Sequence, residues 1–497
     1  MRRGRVALCG TGAALVAVTA VMPASGQAAR HCSTDWPTFQ HDAGRTASAT
    51  CTDLAPADVA TLLPRWFLPT PGDVTAEPAI AWRHAFVGDG TGVMHAVDMA
   101  TGKDSWTFDV TANKLHADRH DVSYGRITSS ATVTDVPSLG PTVIFGGGGT
   151  VYALDARRGT PRWAVDVDPS RPTSTAEVES SPVVWHRPHH HPVVFVGMDT
   201  NEDTHSAHGG VLALDARTGA LRWKYDAESR RPVHDLTRRS RVASACGDIW
   251  SSPSLDSKRA LLFFGSGNCD LRGGKDIQRL TAIRAAGGHR AWTFVEPPAN
   301  HGIDMDFGPS AVLTTVGGRD VVVQAGKSGW IYVVDRATGH LVRSVHAAEG
   351  SSVGGFIGSV AVATDPATRH QVLYGDSAIP LPDRTAPAPT DPRRLASLHA
   401  VDLTTGSVLW QAPAQTPSYA PVTVAGAVVF APDTTEFSVK AYLAADGVPL
   451  WHLPVGAAPS GGVAVSGDDI VFGVGTYLDQ PNRMPPQVAG IWCFAPG

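Results

Sequence analysis

Val211-Leu212-Ala213-Leu214-Asp215-Ala216-Arg217-Thr218-Gly219-Ala220-Leu221-Arg222-Trp223 sets the architecture of the whole chain. The apolar run ahead of Asp215 reads as a strand. Asp215 caps a turn, Gly219 supplies the left-handed position, and the returning strand carries Trp223. One large indole at a fixed place in each hairpin can wedge one sheet against the next. The same pattern recurs at Ala96/Asp98/Gly102/Trp106, Ala153/Asp155/Gly159/Trp163, Ala282/Gly288/Trp292, Ala400/Asp402/Gly406/Trp410 and Ala441/Gly447/Trp451. A further copy, Val333/Asp335/Gly339, has Arg343 in the Trp position. The interval from the Ala position to the Trp position is ten residues in all seven copies.

The ends of the chain supply one more unit. Leu62-Leu63-Pro64-Arg65-Trp66 has the returning strand without its partner, and Gly490 to Phe494 has the first strand without its return. Paired, they close a ring and remove the exposed sheet edges. The sequence therefore predicts an all-β fold, an eight-bladed β-propeller of four-stranded blades. Residues 56–497 form the propeller, preceded by an N-terminal segment, 30–55.

Bulk composition agrees. Of 497 residues 43% are hydrophobic, enough for a large core, and 51 Gly with 37 Pro imply frequent turns. A net charge of −5 gives no basic footprint for a nucleic-acid partner. Residues 1–29 read as a secretory leader: Arg2, Arg3 and Arg5 precede an apolar run, with small residues at Ala24-Ser25-Gly26 and Ala28-Ala29. No later stretch is apolar enough to span a bilayer, so the expected location is secreted or extracytoplasmic. That compartment permits disulfides, and Cys32–Cys51 and Cys246–Cys269 are the natural local pairs. Cys493, in an apolar strand, is expected to be buried and unpaired. His189-His190-His191, between two prolines, reads as a surface turn. Gly146 to Gly149 lacks the context of a phosphate loop.

The repeats resemble the tryptophan-docking motifs of quinoprotein dehydrogenases, which use pyrroloquinoline quinone (PQQ), and within that family the polyvinyl-alcohol-dehydrogenase-like proteins. The resemblance also rests on Trp36-Pro37-Thr38-Phe39-Gln40-His41-Asp42-Ala43-Gly44-Arg45-Thr46, on Ile249-Trp250 with Phe264-Gly265-Ser266-Gly267-Asn268, on Asp304-Met305-Asp306-Phe307-Gly308, on Ala325-Gly326-Lys327-Ser328-Gly329 and on Gly354-Gly355-Phe356-Ile357-Gly358. It implies a site for a flat, tricarboxylated quinone and a divalent cation, Ca²⁺. Trp250 is then the stacking surface, since an indole offers a broad apolar face. Lys327 and Arg126 are cations for quinone oxygens or carboxylates, and Ser180 is a hydrogen-bonding candidate. Asn268, with Glu202 by resemblance (Asp199 or Asp203 could substitute for it), is a calcium-ligand candidate through oxygen. Asp304, with Asp306 as its neighbouring alternative, is the base that takes the alcohol proton. The expected reaction is oxidation of an alcohol, small or polymeric, with electrons passed to a separate acceptor. The chain departs from the family in having neither adjacent cysteines nor a haem-attachment motif. The competing expectation is a non-catalytic propeller of the same fold, acting as a binding or assembly scaffold.

Overall fold

A computed structural model describes residues 1, 33–112, 124–169, 174–200, 209–237, 247–267, 279–297, 305–378, 391–414, 417–475 and 488–497. Thr34–Gly497 forms one compact unit. Its strands make eight sheets, each a blade of four antiparallel strands, consecutive in the chain in seven of them; two blades carry a fifth strand, one of which, Ser48–Ala49, pairs in parallel with Thr423–Ala425. Numbered along the chain, blades one to seven occupy residues 79–109, 132–166, 183–233, 254–295, 312–346, 361–413 and 423–454. The eighth takes Val463–Ser466, Asp469–Val474 and Gly490–Pro496 from the C-terminus and Leu62–Pro69 from the N-terminus. Trp66 stands opposite Cys493 in that closing pair.

The hairpin repeat acts as predicted. Ala213 pairs directly with Trp223, and the other Ala–Trp pairs sit in the same register, each followed by a bulge. Ala is small because the indole lies across from it on the same face. Trp66, Trp106, Trp163, Trp223, Trp292 and Trp410 each dock on the turn glycine of the next blade, while Trp451 meets Phe494 in the blade that closes the ring. A Cβ on Gly219 (φ +73°) would stand 2.9 Å from the Trp163 ring, so both the left-handed backbone and the close approach demand glycine. Trp163 Nε1 donates to Ala216 O at 2.9 Å, and Trp106 Nε1 to Ala156 O at 3.0 Å. Where Arg343 replaces Trp, its guanidinium keeps the bonds and loses the ring: Nη1 reaches Thr405 O and Nη2 reaches Thr404 O, both at 2.8 Å.

The segment 36–49 runs round the inside of the ring. Its carbonyls accept the channel-side N–H groups of successive inner strands: Ile80 N–H donates to Trp36 O (2.7 Å), Val133 to Pro37 (2.7 Å), Leu255 to Ala43 (2.7 Å), Leu313 to Gly44 (2.8 Å), Val362 to Thr46 (2.9 Å) and Val424 to Ala47 (2.8 Å). Inner-strand edges would otherwise leave those donors unpaired. Arg45 serves the remaining gap. Fully buried, it donates to the carbonyls of Phe39, Ser181, Pro182 and Pro253. The N-terminal motif thus closes one end of the channel, with Phe39 facing the space above it.

Cys493 is buried and free. Cys246, Cys269 and Cys32 lie outside the described residues. Among the described residues no helix is long and apolar enough to cross a membrane. His189, His190 and His191 are exposed on a turn.

Candidate functional site

Above the closed end lies a funnel of about 270 Å³ whose walls come from the segment entering each inner strand. These segments alternate strictly. The residue five positions ahead of the strand is core in the first six blades (Val74, Ile127, Val178, Ile249, Phe307, Phe356), each at most 3% exposed. The even positions face the channel, as the period of extended chain requires.

Two positions ahead of the strand stand Glu77, Ser130, Ser181, Ser252, Ser310 and Ser359. They form a hydrogen-bonded girdle. The N–H of Glu77 donates to Ser130 Oγ (2.9 Å), that of Ser130 to Ser181 Oγ (3.0 Å), that of Ser181 to Ser252 Oγ (2.8 Å), that of Ser252 to Ser310 Oγ (3.2 Å) and that of Ser310 to Ser359 Oγ (3.0 Å). Each serine ties its blade to the preceding one. Glu77, buried and bonded to Trp36 Nε1 (2.7 Å) and Gln40 N (2.7 Å), has its carboxyl pushed up to about 7 by burial.

Four positions ahead stand Thr75, Thr128, Glu179, Trp250, Gly308, Ile357 and Tyr419, all lining the funnel. The Trp250 indole lies across Gly308, where a Cβ would run into its Cη2. Only glycine lets the ring settle there. The Lys327 ammonium sits 5.9 Å from the indole centroid, within cation–π range. Its Nζ is 2.7 Å from Asp306 Oδ2, and both side chains are buried. The backbone reinforces the pair, Lys327 N donating to Asp306 O at 3.0 Å.

Six positions ahead the charges collect: Asp73, Arg126, Glu177, Asp248 and Asp306. Glu177 and Asp199 exchange backbone hydrogen bonds, both 3.0 Å. Burial first, then Asp199, Glu177 and Asp248, hold the Glu179 carboxyl well above the usual range. One sector of the funnel therefore carries a surplus of oxygen donors and negative charge, the donor chemistry of a hard cation. Among the described residues no three His, Cys, Asp or Glu side chains gather closely enough to hold a metal ion.

The expected site residues fall into four groups. Trp250 and Lys327 come together, with Asp306. Arg126 shares the charged layer, between the funnel-lining Tyr124 and Thr128, and its backbone bridges Gly90 and Gly148. Ser180 is fully buried and its Oγ accepts the N–H of Gly197 at 2.9 Å. Ser129 does the same for Gly146 in the neighbouring blade, at 3.1 Å, so this is a repeated architectural bond, and Ser181 is the serine that faces the funnel. Glu202, Asn268 and Asp304 lie outside the described residues. Their stems do not: Thr200 and Gly267 both meet Asp248, and a Cβ on Gly267 would collide with Asp306 Cγ. Reading from the sequence missed the serine girdle and Glu179. The signal was a second repeat, an apolar residue three ahead of Ser-Ala, Ser-Pro or Ser-Val, as in Ile249-Trp250-Ser251-Ser252-Pro253.

The chain is thus an eight-bladed propeller with an indole on its funnel wall and a buried lysine–aspartate pair beside it. Residues 36–391 match the family model for the beta-propeller domain of glucose, ethanol and alcohol dehydrogenases, and the chain belongs to that family. Residues 388–482 also match the model of the outer membrane protein assembly factor BamB. The polyvinylalcohol dehydrogenase of a Pseudomonas species is 25% identical over 470 residues, 85% of this chain and 66% of that protein. The quinohemoprotein alcohol dehydrogenase ADH IIB of Pseudomonas putida is 28% identical over 279 residues, 50% of this chain and 37% of its own length. The chain thus spans less than two thirds of either relative. In fold it is similar to the quinohemoprotein alcohol dehydrogenase of Comamonas testosteroni, with a TM-score of 0.72 at 19% identity, covering 93% of this chain and 81% of that one. A europium-containing methanol dehydrogenase gives 0.70 at 17%, covering 93% and 98%.

Proposed function

We propose that the chain is an exported dehydrogenase that oxidises an alcohol, secondary or polymeric in preference, with PQQ and a Ca²⁺ ion in the funnel. One observation carries this reading: Trp250 lines the funnel and the buried Lys327–Asp306 pair stands beside it, with the ammonium 5.9 Å from the indole centroid. The donor set fits the cofactor. Trp250 offers an apolar face for a planar ring system, Lys327 a point charge for its oxygens, and the serine and threonine hydroxyls hydrogen-bonding capacity at its rim. When bound, the quinone supplies the two-electron oxidant.

The chain's own residues do the rest. Lys327, held by Asp306, keeps a fixed cation beside the indole. Arg126 adds a second cation from the same wall. Glu202 and Asn268 would supply oxygen ligands to the Ca²⁺ ion. Asp304 takes the hydroxyl proton of the alcohol while the carbinol carbon gives up its hydride, leaving a carbonyl. Electrons leave to a separate acceptor. The polymeric preference is supported by the likeness to polyvinylalcohol dehydrogenase over 85% of the chain.

The test is dye-linked oxidation by the purified chain with added PQQ and Ca²⁺, over primary, secondary and polymeric alcohols. Turnover that needs both additions and falls away in Asp304→Asn is the expected result. The match of residues 388–482 to an assembly factor favours the scaffold as the second reading. Neither cofactor binding nor turnover would establish it.

A further inference from the structure

The funnel is walled by the segments that enter the inner strands. The turns between the first and second strands of a blade, and between its third and fourth, therefore lie at the opposite end of the ring. The two turns of a blade meet there: Ala216 N donates to Pro192 O at 3.0 Å, and Ala285 N to Ala260 O at 2.9 Å. Charge is spread unevenly over this end. The turns of blades one to five hold nine Arg or Lys and no Asp or Glu, whereas those of blades six to eight hold one Arg and three Asp. Aspartates at the strand ends neutralise some of the cations, as Asp256 and Asp320 do for Arg259. Arg83, Lys103, Arg157 and Lys258 are exposed and make no ion pair among the described residues. Arg187 continues the arc through the third blade, its guanidinium over the Trp185 ring at 4.6 Å. In the fourth blade the exposed Arg284 stands in the place that Asp215 holds in the third, so a cation replaces a carboxylate.

The same end carries exposed apolar groups. Trp82 and Arg83 form the two-residue turn of the first blade, with φ of +51° and +65°. Such positions favour Asn and Gly, and the fifth blade fills the equivalent turn with Gly317 and Gly318, at +56° and +80°. An indole held against that preference and left 43% exposed is poorly explained by packing. The outermost strands of blades five to eight begin with exposed aliphatic residues: Leu341 and Val342, Val408 and Leu409, Val448 just ahead of its strand, and Leu63. We propose that this end of the ring is a docking face for an anionic phospholipid bilayer, with the funnel turned away from the membrane. Guanidinium groups bind phosphate through their fork, and a leaflet of anionic lipid attracts each exposed Lys or Arg. Trp settles at the level of the headgroups, and the aliphatic rim adds apolar area at the same depth. A dissolved polyanion would engage the cations alone and leave the indole and the rim in water. Docked this way, the funnel stays open to solution.

The test is co-sedimentation of the purified chain with vesicles, either phosphatidylcholine alone or equal parts phosphatidylglycerol and phosphatidylcholine, at low and at high salt. Binding to the anionic vesicles only, weakened by salt, is the expected result. A triple variant, Arg157→Glu with Lys258→Glu and Arg284→Glu, is expected to bind at least about a hundredfold more weakly, each cation near the surface being worth about fivefold. Trp82→Gly suits the left-handed turn. It is expected to bind about tenfold more weakly, through lost apolar burial, while melting no lower than wild type. A wild type that shows no preference for the anionic vesicles would overturn the proposal. So would one that binds soluble polyphosphate but leaves the vesicles bare, or a triple variant that binds as wild type does. Unchanged binding in Trp82→Gly would overturn the place given to the indole. Oxidation of a dissolved alcohol is expected to be equal in all three proteins, because the substitutions lie at the end away from the funnel. Failure of the docking face is thereby separable from failure of the dehydrogenase reading.

Discussion

Blades two to five and blades six to eight share one hairpin, one docking geometry and one kind of core, but their inner segments differ. In blades two to five the channel positions hold Arg126, Glu177, Asp248 and Asp306, then Glu179 and Trp250, then four serines. In blades six to eight the outermost of these positions hold Gly355, Pro417 and Ala457, and the girdle runs out at Pro421 and Gly461. Neither proline nor glycine has a side-chain hydroxyl to accept an N–H from the preceding blade, so the series, which runs as far as Ser359 Oγ, ends there for a covalent reason. The docking repeat therefore builds the ring without regard to chemistry. The chemistry is written in the few residues that enter each inner strand, and only along one arc.

The largest expected effect lies on the rich arc. Lys327→Met leaves Asp306 buried without its ammonium, and breaking such a pair costs about 3–5 kcal/mol. Adding Asp306→Asn should restore most of that loss. Chemical denaturation of the two variants checks it, and a double variant no more stable than the single one would contradict the pairing.

On the poor arc a buried charge works against the fold. Asp376, at the seam of the sixth and seventh blades, is 7% exposed, and burial followed by Asp433 pushes its carboxyl up to about 8. The folded chain thus keeps a proton that the unfolded chain releases above the ordinary aspartate range. Stability attributable to this group falls as pH rises through that range toward 8, and is level beyond it. Asp376→Asn should remove the slope, with little effect near pH 4 and a gain of a few kcal/mol at pH 8, since each tenfold change in proton affinity is worth about 1.4 kcal/mol. Melting curves across that range check it, and parallel curves for the two proteins would contradict it.

The smallest effect tests the girdle. Ser252→Ala removes the acceptor for the buried N–H of Ser181, and a stranded buried donor costs about 1–3 kcal/mol. The loss should appear in unfolding free energy, with the slope against denaturant unchanged.

Most of the ring was legible in the sequence, because Trp, Gly and Asp at a fixed ten-residue interval leave few alternatives. Even the split eighth blade could be read, since each end carried half a hairpin. The role of residues 36–49 was not. Its carbonyls satisfy inner strands up to several hundred residues away, and no local pattern announces a bond from Thr46 to Val362. Ser180 against Ser181 was a question of parity: adjacent residues of an extended segment face opposite ways, and the alternation fixes which one meets the funnel only once the inner strand's first residue is known. Glu179 was harder to read, because Asp199 and Asp248, which help to shape its environment along with the neighbouring Glu177, lie in other segments. Trp250 and Lys327 were singled out through resemblance; the structure sets them side by side and adds a partner for the lysine, Asp306.

Everything proposed for the funnel depends on the arc containing Trp250 holding the quinone. The decisive experiment is equilibrium titration of PQQ into the purified chain, with Ca²⁺ present, comparing wild type and Trp250→Ala. One PQQ should bind per wild-type chain, and binding should be at least about tenfold weaker in the variant, the loss of a stacked face being worth roughly 1.5 kcal/mol or more. Equal affinity in the two proteins, or no binding in wild type, would contradict it.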